Sequence, residues 1–293
     1  MRIVSLVPAG TEIVAALGAS ELLVGISHEC DWPSDVLELP RVTSTPISSS
    51  DASGSIDAAV QELVASGQPV ITVDADQLRR LAPDLILTQG LCAVCAADDD
   101  SVTTLAASLP STPRVVSLTA TSVSGIERDV QAVACALARE DEGWDVIRHM
   151  RRELQQLRAD APASPARVVC VEWLDPLFLA GHWVPELVAA AGGVDVGAPA
   201  GRHSRRVGRD EFIELDPDIV VVMLCGFGVE RSLRELAATA LPETKAPVWV
   251  LDANAFTSRP GPRVVDGARR LHAALRGAEM PGLVQVTIGP SGD

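Results

Sequence analysis

Tyrosine is absent from this 293-residue chain, lysine occurs once (Lys245), and aromatic residues make up only 3%. With a single lysine among 24 basic residues and a net charge of -15, the chain lacks a basic surface able to neutralise phosphates. That excludes nucleic acid as the main partner, and anionic membrane with it. No apolar run is long enough to span a bilayer, so direct membrane insertion is excluded as well. Common catalytic loops are missing too: there is no G-x-S-x-G elbow, no Walker loop and no G-x-G-x-x-G fingerprint. Residues 28–33, HECDWP, begin like a zinc-protease motif but place Trp32 where the motif breaks and lack the second histidine.

What is present is a chain with 47% hydrophobic residues, enough to bury a sizeable core. Residues 1–19, MRIVSLVPAGTEIVAALGA, have the basic start and small-residue end of a secretion signal, but Pro8 and Glu12 interrupt them. They read as a strand over 2–7, a turn, and an amphipathic helix capped by Thr11. The expectation that follows is a cytoplasmic protein with mostly reduced cysteines.

Strand-like and helix-like segments then alternate almost throughout, which signals parallel α/β architecture. Seven continuous apolar runs read as strands buried on both faces: RIVSLV, LLVGIS, DLILTQ, RVVSLT, RVVCVEW, DIVVVML and VWVLDA. Residues 122–158 contain few breakers besides Gly125 and Gly143 and carry helical apolar spacing, predicting one long helix. The halves echo one another, LRRLAPDLILT against FIELDPDIVVV, and GTEIVAALGASELLVGI against VPELVAAAGGVDVGAP. The expected organisation is an N-terminal α/β lobe over 1–121, a connecting helix and linker over 122–163, a C-terminal lobe over 164–278, and a tail over 279–293.

In open parallel sheets ligands bind outside the carboxyl ends of strands. Five such loops hold the uncommon residues: SHECDWP, QGLCAVCA, EWLDPLFLAGHWVPE, CGFG and ANAFTSRPGPR. They supply the ligand-binding candidates Trp32, Glu172, Trp173, His182, Trp183, Phe227, Asn254 and Arg259. Cys92-x-x-Cys95 reads as a redox pair, a metal knuckle or inert buried thiols. With His28 and Cys30 it makes a conceivable Cys3His set suited to zinc or an iron–sulfur cluster. Cys135, Cys170 and Cys225 lie in apolar runs and read as core. His182 precedes a Val-Pro helix start, where the dipole favours neutral, metal-binding imidazole; a solvent-exposed loop histidine is the alternative. His149, His203 and His272 read as surface residues, His203 in a basic stretch that can meet an anionic ligand group.

The chain resembles the helical-backbone substrate-binding proteins of ABC importers for cobalamin and iron chelates. RIVSLVPAGTEIVAALGASELLVGIS, LAPDLILTQ, DPLFLAGHWVPELVAAAGG and RPGPRVVDGARRLHAAL carry the likeness, which covers most of residues 1–276. It also resembles the cobalamin-binding-protein branch with SHECDWP and LC-x-x-C. The resemblance implies two Rossmann-like lobes with parallel sheets joined by a long helix, and a corrinoid or other metal chelate held in a cleft between lobes. The function expected is therefore binding of cobalamin or a related chelate without catalysis; the alternative is a metal- or iron–sulfur-bearing redox protein or enzyme built on the Cys/His set. In the family, acids near Asp76 and Asp210 dock permease arginines. Each aspartate also lies at an expected helix start, where capping and the helix dipole explain it without a partner.

Overall fold

The computed structural model describes residues 1–48, 50–90, 99–162 and 164–287. The chain divides into one unit of Met1–Asp51, Ala58–Ala120 and Ser124–Arg148, and a second of Ala52–Asp57, Thr121–Val123 and His149–Asp293. The chain passes between these units at 51/52, 57/58, 120/121, 123/124 and 148/149.

The first unit is built on a parallel sheet of β1 (Ile3–Ser5), β2 (Leu23–Gly25), β5 (Leu85–Gln89) and β6 (Arg114–Leu118), in the order β2-β1-β5-β6. A two-stranded antiparallel ribbon joins β3 (Thr43–Ser44) to β4 (Thr72–Val73). Helices α1 (Pro8–Ala16), α2 (Ser53–Ala65, its first turn counted with the second unit), α3 (Ala75–Leu81) and α4 (Asp99–Ser108) alternate with the strands. Val4, Leu6, Ile86, Leu78, Val102 and Leu109 pack into one buried cluster, each burial contributing about 1.5–3 kcal/mol. Thr11 does not cap α1. Val7 occupies that position with Pro8 behind it, and buried Thr11 meets Cys30 Sγ at 3.1 Å.

Residues 122–158 are not one helix. They form α5 (Val123–Leu137) and α6 (Glu140–Ala159), separated where Ala138 adopts φ 54°. Arg139 fastens the break, donating to Leu17 O at 3.1 Å and pairing with Glu21 and Glu142. Gly143 is no breaker; a Cβ there would stand 2.6 Å from Ala134 Cβ, so its lack of a side chain lets α6 approach α5.

The second unit repeats the plan. Strands β7 (Arg167–Trp173), β9 (Val194–Asp195), β11 (Ile219–Val222) and β12 (Val248–Leu251) pair in parallel, β9 and β11 flanking β7 and β12 following β11. Antiparallel β8 (Phe178–Leu179), β10 (Arg205–Arg206) and β13 (Leu283–Val286) extend the sheet. Part of the expected tail is therefore sheet, with Leu283 fully buried opposite Leu251. Around it lie α7 (Val184–Ala191), α8 (Arg209–Glu214), α9 (Val229–Ala238), α10 (Ala253–Phe256) and α11 (Val264–Leu275).

The internal echo has a common physical basis. Asp84 of one Pro-Asp phrase accepts from Arg2 N at 2.7 Å, and Asp218 of the other accepts from Arg167 N at 2.8 Å. Each acid thus holds the backbone at the start of a strand in its own sheet. Just before each phrase the chain leaves its helix through a left-handed residue, Ala82 (φ 42°) or Asp216 (φ 40°).

Several assignments of single residues change. Cys135 is exposed rather than core, while Cys170 is buried as expected and Cys225 is half-buried. His272 is no free surface residue: its ring contacts Ala191 O at 2.9 Å and Asp160 at 3.2 Å and accepts from Arg276. Asp76 caps nothing, because Asp74 accepts from Gln77 N at 2.8 Å and is the N-cap of α3. Asp210 sits in the first turn of α8 behind Gly208, again without a side-chain cap.

Candidate functional site

The parallel strands of each sheet bring their carboxyl ends to one edge, and most of the uncommon residues emerge there. In the second unit Glu172 and Trp173 end β7, Phe227 follows β11, and Asn254 follows β12. Trp173 is half-buried, donates its indole N–H to Asp175 O at 3.0 Å, and meets Phe227 edge-on at 5.3 Å. Phe227 is almost wholly buried, with the Arg231 guanidinium 3.3 Å from its ring centre. Asn254 donates its N–H to Phe227 O and accepts from Nη2 of the buried Arg259 at 2.9 Å. Phe227, Asn254 and Arg259 therefore brace the edge from beneath.

A second feature is a clasp of two loops. Gly181 donates to Ser204 Oγ, His182 N donates to Arg202 O at 2.5 Å, and Gly201 N donates back to His182 O at 2.8 Å. A Cβ on Gly181 would collide with the backbone of residues 202–204, so only glycine permits this closeness. Ser204 Oγ lies 2.8 and 2.9 Å from the two Glu172 carboxylate oxygens. His182 is held at φ 53°, a strained value for a residue with a side chain, and its Nε2 lies 3.2 Å from Nδ1 of His203. Burial, and secondarily the neighbouring His203, lowers the His182 pKa, which favours the neutral ring. Trp183 is buried, not a free face; its indole donates to Thr257 O at 2.9 Å and anchors the start of α7.

In the first unit, Trp32 follows β2 and is 36% exposed. His28 N and Nδ1 both approach Thr43 Oγ1, at 3.0 and 2.6 Å, while that hydroxyl donates to Ser27. The ring therefore carries its proton on Nδ1, leaving Nε2 as a bare, buried lone pair with no hydrogen-bond partner among the described residues. Burial lowers the His28 pKa. Cys92 and Cys95 lie outside the described residues. Among the described residues no three His, Cys, Asp or Glu side chains converge on a metal-sized space. The redox-cofactor alternative finds no support there.

Sequence reading missed Ser204, the Arg202 carbonyl and the pairing of His203 with His182. Their signal was weak, a basic stretch with no periodicity, and the clasp joins residues 21 apart.

The model of the periplasmic binding protein family matches residues 3–246. The chain belongs to the periplasmic binding protein family. This periplasmic binding protein is 24% identical to the vitamin B12-binding protein of Vibrio cholerae serotype O1 over 281 residues, covering 95% of this chain and 90% of the relative. It is 25% identical over 275 residues to the vitamin B12-binding protein of Yersinia pestis, covering 92% and 84%. The fold matches the crystal structure of the periplasmic vitamin B12 binding protein of Vibrio cholerae, with TM-score 0.66, 22% identity and coverage of 94% and 96%. It also matches a periplasmic heme binding protein from Pseudomonas aeruginosa, with TM-score 0.74, 19% identity and 99% of each chain covered. The expectation of a cytoplasmic protein is overturned by this membership and by the periplasmic relatives. β1 and α1 are built into the fold, and a segment that belongs to the fold carries no information about compartment.

Proposed function

We propose that this periplasmic binding protein captures cobalamin or a related corrinoid or heme-like metal chelate for an ABC importer. The observation that carries the reading is the strand-end edge of the second unit, seen in a chain whose relatives bind vitamin B12. There a partly exposed Trp173 is braced by Phe227, and the adjoining Glu172 is joined through Ser204 to the loop of His182, whose pKa burial lowers. A planar macrocycle presents a broad apolar face and polar edge groups, which suits an aromatic ring with hydrogen-bonding neighbours. Trp173, His182 and Glu172 are assigned to contact the ligand. Phe227, Trp183, Asn254 and Arg259 hold that edge in place, and Trp32 carries a contact role on its own unit. Titration of the purified protein with cobalamin tests this. Quenched tryptophan fluorescence and a shifted corrin spectrum are expected; no change at tens of micromolar overturns the reading.

The bare Nε2 of His28 favours a second reading for the first unit, zinc bound through His28 and Cys30 with Cys92 and Cys95. Metal content of anaerobically purified protein checks it, and metal-free protein would refute it. For the permease, Asp76 and Asp210 are exposed and free of capping duty; Asp76 pairs with Arg79 at 2.6 Å, an exposed pair that a permease arginine would have to replace.

A further inference from the structure

The clasp of the second unit holds two imidazole nitrogens from different loops, His182 Nε2 and His203 Nδ1, 3.2 Å apart with ring planes perpendicular. A metal ion that binds two nitrogens at about 2.0–2.1 Å in neighbouring positions sets those donors about 2.9–3.4 Å apart, by simple trigonometry on zinc-type bond lengths. The observed separation, which without an ion is a hydrogen bond between the two rings, falls inside that window. We propose that His182 and His203 form a two-histidine site for a first-row divalent ion of the cobalt, nickel, copper or zinc class, completed by water or by donors of a small carrier.

Three observations support this beyond the distance. The pair is preorganised: the reciprocal backbone hydrogen bonds between His182 and residues 201 and 202, and the absent side chain of Gly181, fix both loops. His182 pays for its position with a left-handed backbone, a strain that persists at functional sites. His203 is exposed, so the open side of the site faces water and an ion can enter. Imidazole is the protein ligand best matched to these ions. The proposal goes beyond the corrinoid reading, because a macrocycle fills the four equatorial positions of its metal. Its remaining positions lie on opposite faces, so two donors at 3.2 Å cannot both bind it. A hydrated ion, or one held by an open chelator, offers neighbouring positions.

Co2+ serves as the probe, titrated without oxygen into protein carrying Cys92→Ser and Cys95→Ser so that thiolate ligation is removed. One equivalent should bind, with d–d absorption and no thiolate charge-transfer band. His203→Gln, on an exposed loop, should weaken binding at least tenfold. His182→Asn, which tolerates the left-handed backbone, should do the same, whereas His149→Gln should not. Binding that survives unchanged in both site variants overturns the proposal, as does saturation only at millimolar Co2+. Cobalamin titration of the His203→Gln variant, which leaves the assigned corrinoid contacts in place, separates the readings. Loss of Co2+ binding with cobalamin binding kept supports an independent metal site, and Co2+ binding kept while cobalamin binding is lost assigns the pair to the corrinoid alone.

Discussion

The carboxylate of Glu235, on α9, accepts from both the backbone N–H and the hydroxyl of Ser53, 182 positions earlier in the chain, at 2.9 and 2.5 Å. Both residues are buried. Ser53 opens α2, so a side chain from a distant helix satisfies one of that helix's free N–H groups. Glu235→Ala leaves a buried donor pair unsatisfied and should destabilise the protein by about 2–3 kcal/mol, read by urea denaturation. Glu235→Gln keeps an acceptor and should recover part of that loss.

Asp195 gives a pH signature. Burial pushes its pKa up to about 6 despite hydrogen bonds from Gly197 and Ala198. The native state then holds this proton more tightly than the unfolded chain does. The resulting stability is complete below about pH 4 and is lost as pH rises to about 6, a loss of about 3 kcal/mol. Asp195→Asn keeps the acceptor oxygen and removes the titration. The variant should be more stable than the parent above pH 6, with the gap closing toward pH 4, in thermal melts across that range.

Trp173 and Phe227 touch each other but should fail differently. Trp173→Ala removes a partly exposed ring and should weaken cobalamin binding at least tenfold, about 1.4 kcal/mol. Phe227→Ala empties a buried position and should lower stability by about 3–5 kcal/mol. Paired fluorescence titrations and denaturant curves separate the two outcomes.

At α3 the cap and its neighbour can be told apart. Asp74→Ala should destabilise by about 1 kcal/mol through loss of the Gln77 N–H partner. Asp76→Lys breaks only an exposed pair with Arg79 and should leave the melting temperature nearly unchanged. If Asp76 docks a permease, the same charge reversal should abolish importer-dependent uptake. Uptake left intact would return Asp76 to the status of a solvated surface acid.

Much of the fold was legible because its strands are long apolar runs, a pattern that burial on both faces demands. All seven runs became strands, and the Pro-Asp echo proved to be one backbone-holding device used twice. The loops at strand ends were legible for the same reason, since parallel pairing puts them on one edge. Residues 205–206 and 283–286 were not, because short or polar strands gain their definition from the neighbour they pair with. The break at Ala138 was equally silent: helical spacing continues through it, and the contacts of Arg139 with Leu17 and Glu21 that fasten the turn are tertiary. Sequence placed His182 at a helix start and His203 in a basic loop. Only the tertiary structure, through backbone hydrogen bonds that no side-chain pattern encodes, set their nitrogens 3.2 Å apart.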